Sequence, residues 1–370
     1  MKIILSVNTL GSFISHRRSL YLRLRDRHKV SVLLPLSESP GATPDTIRSE
    51  ELLTLPMSRK GINPWAELQA IFAYYQQYKK HKPDLVHHFT IKPVIYGTLA
   101  ARAAGVQRIV NSITGLGFVF TSPTLKAKVL GIIVKTLYRL CLQSPKVKVI
   151  FQNQDDRQFF IQHKLLKETQ CFLVEGSGVD TEKFKPSNPE NNPPKIFLAA
   201  RLLIEKGLFE FMAALQILKE KNIPFDALVA GDLDPGNPGS VSAEQLTQWK
   251  KQNLAQFLGH QTNMVEWLQK IDIACLPSYR EGLPMSLLEA MAAGKPLVTT
   301  DAPGCRATVK NDINGFLVPI KDPSELATAL EKLLAQPALR RQMGQASRQM
   351  AIDFFSTEKI TSAIEKTYQS

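Results

Sequence analysis

With 370 residues, 44% of them hydrophobic and 21% charged, the chain has the length for two hydrophobic cores and a composition that excludes a disordered or fibrous protein. The four cysteines (Cys141, Cys171, Cys275 and Cys305) show neither zinc-ligand nor disulfide-framework spacing, so a reducing cytosol is expected. The net charge of +13 is uneven: residues 1–170 carry 25 Lys and Arg against 10 Asp and Glu, and residues 171–370 carry 21 against 23, so the first half is expected to meet an anionic partner.

In chain order, M-K-I-I-L-S-V-N-T-L-G-S opens with an apolar run too short for a signal peptide, and reads as a first buried strand. Strands are expected at 2–7, 29–35, 84–89, 108–112, 148–152 and 170–174, with helices between them, for example at 64–80 and 124–142. This is the alternation of a parallel, doubly wound sheet. The segment 176–194, G-S-G-V-D-T-E-K-F-K-P-S-N-P-E-N-N-P-P, breaks the pattern and reads as a linker. A second series follows, with strands expected at 196–200, 227–231, 271–276, 297–300 and 315–318. No apolar run approaches the roughly 18 residues of a membrane span.

The chemistry concentrates in the second series. From Glu281 to Glu289 the chain reads E-G-L-P-M-S-L-L-E, followed by A-M-A-A-G-K-P-L-V. Upstream, K-I-F-L-A-A-R-L-L-I-E-K-G carries Arg201 and Lys206, and Arg201 directly follows an apolar run at a strand's carboxyl end. A guanidinium there is costly unless an anion or carboxylate meets it. Two fixed cations suit a diphosphate, one carboxylate suits ribose hydroxyls and a second suits a hexose. A glycine-containing turn entering a helix presents free N–H groups to phosphate oxygens.

Plainer readings compete at several positions. Ser286-x-x-Glu289 is also a capping-box pattern. Asp232-Leu233-Asp234 invites a metal, yet runs into P-G-N-P-G, a turn composition. His87 and His88 fall on opposite faces of one strand, and His87 reads as structural. The aromatics of 64–80 (Trp65, Phe72, Tyr74, Tyr75 and Tyr78) read as core packing.

These motifs resemble the retaining family-4 glycosyltransferases of the GT-B fold, in the bacterial branch that extends lipid-linked or surface glycans. The likeness spans essentially the whole chain. It is carried by G-S-G-V-D…F-K-P, A-A-R-L-L-I-E-K-G, F-L-G-H, the two glutamates and T-D-A-P-G-C-R…N-G-F-L-V-P, and more loosely by F-I-S-H-R-R, H-H-F-T-I-K-P and I-T-G-L-G. The resemblance implies an α/β fold of two facing Rossmann-like domains with a cleft between them. These are an acceptor domain at 1–175, a linker at 176–194 and a nucleotide-sugar donor domain at 195–354, with a final helix near 355–370 packing back on the first domain.

The resemblance also implies roles. Arg201 and Lys206 hold the donor diphosphate, Glu281 faces the donor sugar, and Glu289 accepts from the ribose hydroxyls. The backbone from Gly282 through Leu283, Pro284 and Met285 to Ser286 cradles phosphate, and Gly259 and His260 lie near the base. Gly11 and Ser12 reach the phosphates from the first domain. His88, Lys92, Thr114 and Gly115 are expected on the acceptor side; where many relatives carry a histidine this chain has Thr114, so no catalytic histidine is transferred. The expected donor is a UDP-sugar and the expected acceptor a polyprenyl-diphosphate-linked or nascent glycan. No cofactor, no metal and no nucleic acid is expected. The basic half, above all 124–142 with Lys126, Lys128, Lys135 and Arg139, is expected to meet an anionic membrane surface from the cytoplasmic side. A sugar-nucleotide epimerase and a non-catalytic glycan or nucleotide-sugar binder are the rival readings.

Overall fold

A computed structural model describes residues 1–35, 47–58, 63–116, 120 and 125–369, with side chains omitted for 125–128. The chain divides into two compact units, Met1–Ser177 with Ile360–Ser370, and Gly178–Lys359.

The first unit is built on seven strands: β1 (Lys2–Ser6), β2 (Lys29–Pro35), β3 (Leu52–Leu55), β4 (Leu85–Phe89), β5 (Arg108–Ile113), β6 (Val147–Phe151) and β7 (Cys171–Leu173). They run parallel in the order β3-β2-β1-β4-β5-β6-β7. All five residues of β4 are buried, as expected of a parallel strand covered on both faces. On one face the helices Pro64–His81, Leu125–Leu142 and Gln154–Gln162 contribute Tyr74, Tyr78, Val134, Tyr138 and Phe160 to a shared core. On the other face Phe13, Leu20, Tyr21 and Leu24 pack with Ile360, Ile364 and Tyr368. Those last three recur every four residues along the helix Thr357–Gln369, one stripe of an amphipathic helix. Glu365 on the same helix pairs with Arg23 at 3.1 Å and Arg27 at 3.7 Å.

The second unit has six strands: β8 (Lys195–Ala199), β9 (Asp226–Ala230), β10 (Gln256–Gly259), β11 (Ile273–Leu276), β12 (Leu297–Thr300) and β13 (Gly315–Val318). They are parallel in the order β10-β9-β8-β11-β12-β13. Of these, β3 and β10 escaped the sequence reading. Both are four-residue edge strands without a fully apolar run, and β3 has only one buried residue. The expected linker does not hang free. Val179 and Phe184 are buried in the second unit's core, and Ser187 accepts from the buried Lys295 ammonium at 2.7 Å.

Strand order reverses between β1 and β4 in the first unit and between β8 and β11 in the second. Loops leaving the carboxyl ends of such strand pairs diverge, which opens a crevice for ligands.

Two expectations about helices fail. Tyr74 and Tyr78 are core residues, but Trp65 and Phe72 on the same helix are 77% and 58% exposed, with Leu68 exposed between them. A helix packed on one side of a sheet buries one stripe, and Trp65, Leu68 and Phe72 fall on the other. The Ser286-x-x-Glu289 capping box is also absent. The helix Met285–Ala292 starts after Pro284, with no side-chain cap, so Glu289 lies beyond the third helical position.

Candidate active site

At the carboxyl end of β8 the chain turns through Arg201 into a 3₁₀ turn, Ile204–Lys206, and then into the helix Leu208–Glu220. Opposite it, β11 runs into Pro277–Pro284 and the helix Met285–Ala292. These are the loops flanking the second unit's strand reversal. They are tied together by backbone and hydroxyl bonds: Tyr279 N–H donates to the Glu205 carbonyl at 2.8 Å, and the Ser278 hydroxyl donates to that carbonyl at 2.9 Å. The Tyr279 hydroxyl also donates to Glu210 at 2.7 Å. Gly207, at φ +72°, lets the two loops meet, since a Cβ there would stand 2.0 Å from the Pro277 carbonyl oxygen.

A third loop braces the Glu281 segment from behind. Glu281 N–H donates to the Pro303 carbonyl at 2.9 Å, and Gly304 packs against the Glu281 and Gly282 carbonyls. The Thr300 hydroxyl donates to the Ser278 carbonyl. Sequence reasoning missed Ser278, Tyr279 and Gly304. The T-D-A-P-G-C motif was visible, but its contact is made across a gap of more than 20 residues.

The charged side chains converge in pairs. Lys206 Nζ lies 2.5 Å from Glu281 Oε1, with both side chains largely buried. Arg201 Nη1 lies 2.6 Å from Asp234 Oδ2, with about half of the arginine side chain exposed (51%). Asp234 therefore neutralises a cation in the turn after β9 and also accepts from Asn237 Nδ2 at 3.1 Å. Glu289 is different. It lies on the helix that follows the Glu281 loop, no donor meets its carboxylate among the described residues, and burial raises its pKa to about 7 against a smaller opposing pull from Lys183. Gly259 N–H and C=O lie beside β9, where Gly231 N–H donates to the Gly259 carbonyl at 2.8 Å, and His260 is exposed just beyond. Leu283 and Pro284 are buried, while Met285 and Ser286 are half-buried at the start of their helix, whose first N–H groups have no intrahelical acceptor. Lys206 and Glu281 thus meet across the loops after β8 and β11, Arg201 is held by Asp234 in the turn after β9, Glu289 lies on the helix after the Glu281 loop, and Gly259 and His260 lie on the β9–β10 side.

The residues expected on the acceptor side belong to the first unit, and they divide. Thr114 and Gly115 are half-buried at the carboxyl end of β5. His88 is fully buried, with Nε2 2.7 Å from the Tyr78 hydroxyl and Nδ1 2.8 Å from Asn111 Oδ1. Both ring nitrogens are engaged inside the core, so His88 has the placement of a structural histidine rather than the acceptor contact expected of it. Burial also lowers its pKa to about 4. His87, on the opposite face, is likewise buried between the Tyr368 and Ser112 hydroxyls. Lys92 lies 2.6 Å from Glu67 and donates to the Ser58 carbonyl, so its charge is met within the unit. Gly11 is exposed, and the Ser12 N–H is taken by the Thr9 hydroxyl at 3.0 Å.

Two family profiles match the chain: "Glycosyl transferase 4-like" over residues 2–153 and "Glycosyl transferases group 1" over residues 179–350. Among similar proteins, the N,N'-diacetylbacillosaminyl-diphospho-undecaprenol alpha-1,3-N-acetylgalactosaminyltransferase of Campylobacter jejuni is 28% identical, over 93% of this chain and 92% of that protein. The UDP-Gal:alpha-D-GlcNAc-diphosphoundecaprenol alpha-1,3-galactosyltransferase of Escherichia coli is 27% identical, over 85% of this chain and 82% of that protein. Among solved structures, Anabaena HepE in complex with UDP and glucose superposes with a TM-score of 0.80 at 20% identity, covering all of both chains. Sucrose-phosphate synthase from Thermosynechococcus elongatus gives 0.81 at 18% identity, covering 100% of this chain and 98% of that one. These two establish the two-domain parallel α/β architecture.

Proposed function

Because this chain joins a glycosyl transferase 4-like domain to a glycosyl transferases group 1 domain and is a glycosyltransferase, we propose that it moves a hexose or N-acetylhexosamine from a UDP-sugar to a polyprenyl-diphosphate-linked or nascent surface glycan, with retention of configuration. The observation that carries the reading is the Lys206–Glu281 pair, which joins the loops after β8 and β11 ahead of the helix that carries Glu289, with Arg201 on the same β8 loop. The names of the Campylobacter and Escherichia relatives support a lipid-diphosphate acceptor, and the Escherichia name supports a UDP donor.

In this reading the donor diphosphate lies against Arg201, Lys206 and the 282–286 backbone, with the ribose hydroxyls on Glu289 and the base near Gly259 and His260. The glycosidic C–O bond to the diphosphate breaks, with Arg201 and Lys206 stabilising the charge that develops on the leaving oxygen. The acceptor hydroxyl attacks C1 on the same face, and its proton passes to the departing phosphate. Preorganised cations lower the barrier without covalent catalysis. Two side-chain cations neutralise the diphosphate, so the proposal requires no metal.

Membrane contact belongs to the same proposal. No helix among the described residues is long and apolar enough to cross a membrane. The helix Leu125–Leu142 nevertheless exposes Val129, Ile132, Ile133 and Leu140 beside Arg139. Lys126 and Lys128 lie outside the described side chains, and the Lys135 ammonium rests over the Phe159 ring. With Trp65, Leu68 and Phe72 also exposed on the helix Pro64–His81, which packs on the same side of the sheet, this face suits the interface of an anionic membrane, met from the cytoplasmic side.

The test is to incubate radiolabelled UDP-sugars with a bacterial lipid extract. Label in the lipid phase supports the proposal. Interconversion of the donor indicates an epimerase, and neither outcome leaves only a binder.

A further inference from the structure

Arg17 stands in the break between the helices Leu10–His16 and Arg18–Arg25, and it is 3% exposed. Among the described residues its guanidinium forms no ion pair and no hydrogen bond, and Nε is buried without an acceptor. It rests on a ring face, with Cζ 4.2 Å from the centroid of Phe89. Aromatic faces attract cations, but they accept no N–H bond in the plane of the guanidinium. The groups around it are neutral. His87 is held between two hydroxyls, Tyr368 is a buried phenol, and His16 has its pKa lowered to about 4, by burial first and then by Arg17 itself. A buried cation without a counter-charge is one of the costliest arrangements a fold can keep, and such groups are normally paired.

Two further unpaired polar atoms lie on residues adjacent in sequence to Arg17 and to Phe89. His16 Nδ1 is buried and unbonded, and so is the Thr90 hydroxyl. Thr90 follows Phe89 directly and has φ +72°, a conformation a β-branched residue rarely adopts. Outliers of this kind concentrate where ligands bind. Phe89 ends β4, one of the two strands flanking the first unit's reversal, so these groups lie at the crevice end of the sheet.

We propose that Arg17, with His16 and Thr90, forms a diphosphate subsite in the first unit, in which a phosphate oxygen accepts from the guanidinium and supplies its missing counter-charge. The site rests on the reading above only for the source of the anion, which we assign to the lipid diphosphate of the acceptor rather than to the donor.

Thermal-shift measurements on the full chain test this with inorganic pyrophosphate, a short polyprenyl diphosphate and UDP. Wild type should be stabilised by all three. Arg17→Met, which keeps the length and removes the charge, should melt no lower than wild type when free, lose the response to the polyprenyl diphosphate, lose only part of the response to pyrophosphate, which the Arg201 and Lys206 site also binds, and keep the response to UDP. Thr90→Val should weaken the same two responses, and supplies the test should Arg17→Met not fold. In transfer assays Arg17→Lys should raise the acceptor KM at least tenfold while leaving the donor KM unchanged. If Arg17→Met melts lower than wild type yet keeps all three responses, Arg17 is a structural residue and the subsite is wrong. Loss of the UDP response instead would overturn the acceptor assignment. Failure of wild type to transfer any sugar to lipid would refute the proposed function, while the polyprenyl diphosphate arm, compared between wild type and Arg17→Met, would still decide the subsite.

Discussion

The Lys206 ammonium and the Glu281 carboxylate hold each other at 2.5 Å, linking the turn after β8 to the loop after β11. Without donor, each charge satisfies the other, and a bound diphosphate would compete with Glu281 for Lys206. Lys206→Ala should therefore lower turnover by on the order of 10²–10³. It should also lower the melting temperature, because it strands a largely buried carboxylate. Adding Glu281→Ala should restore stability but not activity. Calorimetry and initial rates on the single and double variants check this, and near-normal turnover in Lys206→Ala would remove that residue from the mechanism.

Glu289 makes a pH-dependent contribution. Its folded pKa, raised by burial to about 7, exceeds the unfolded value, so its stabilising contribution is full below about pH 4.5 and is lost as pH rises through 7. Glu289→Gln should consequently raise the melting temperature relative to wild type at pH 8, and make little difference at pH 4.5. Ribose binding favours the ionised carboxylate, so UDP affinity in the wild type should improve from pH 6 to pH 8, and this rise should vanish in Glu289→Gln. Equal pH profiles for the two proteins would show that Glu289 carries neither effect.

Gly304→Ala probes the loop that braces the Glu281 segment. The added Cβ would stand 2.4 Å from the Glu281 carbonyl oxygen and 2.6 Å from that of Gly282, at a φ of +78°. These are backbone atoms, so the loop must move. A loss of tenfold or more in donor affinity is expected, with about 1–3 kcal/mol of destabilisation from the strained conformation. Titration of UDP by calorimetry gives the first figure and denaturant unfolding the second.

If Arg201 and Lys206 supply the positive charge at the diphosphate as proposed, activity should survive EDTA, and Asp234 is already bound to Arg201. Complete inhibition by chelator, reversed by Mn²⁺ or Mg²⁺, would mean that Asp232 and Asp234 were misread as turn residues.

Membrane association should depend on both the charge and the exposed apolar face of the first unit. Each cation near an anionic surface contributes about 1 kcal/mol, so binding to anionic liposomes should fall steeply with salt. Ile132→Ser and Trp65→Ser remove side chains that are 67% and 77% exposed, so they should weaken sedimentation with anionic liposomes while leaving the fold intact. Equal sedimentation with neutral and anionic liposomes would contradict the electrostatic part of the proposal.

Local pattern carried much of this protein. The strands expected at 297–300 and 315–318 are β12 and β13 to the residue, and the two polar residues that β12 buries, Thr299 and Thr300, are satisfied by the Leu276 and Ser278 carbonyls. That the loops carrying Lys206 and Glu281 meet was legible because loops leaving adjacent parallel strands converge whatever their separation in sequence, whereas the pairing of Arg201 with Asp234 was not. Burial on the outer faces of helices was not legible. The aromatics of 64–81 share one composition, and only packing decides that Tyr74 and Tyr78 face the sheet while Trp65 and Phe72 face away. Pairing was not legible either. That Lys206 takes Glu281, that His88 spends both nitrogens on Tyr78 and Asn111, and that Arg17 rests on the Phe89 ring are outcomes of distance in three dimensions. The sequence determined which chemical groups this protein possesses and the sheet order that gathers them, because hydrophobic period and turn composition act locally. The tertiary structure alone decided which charges are already spent on one another and which remain for a ligand, because Coulomb and desolvation energies depend on neighbours that the chain brings together only by folding.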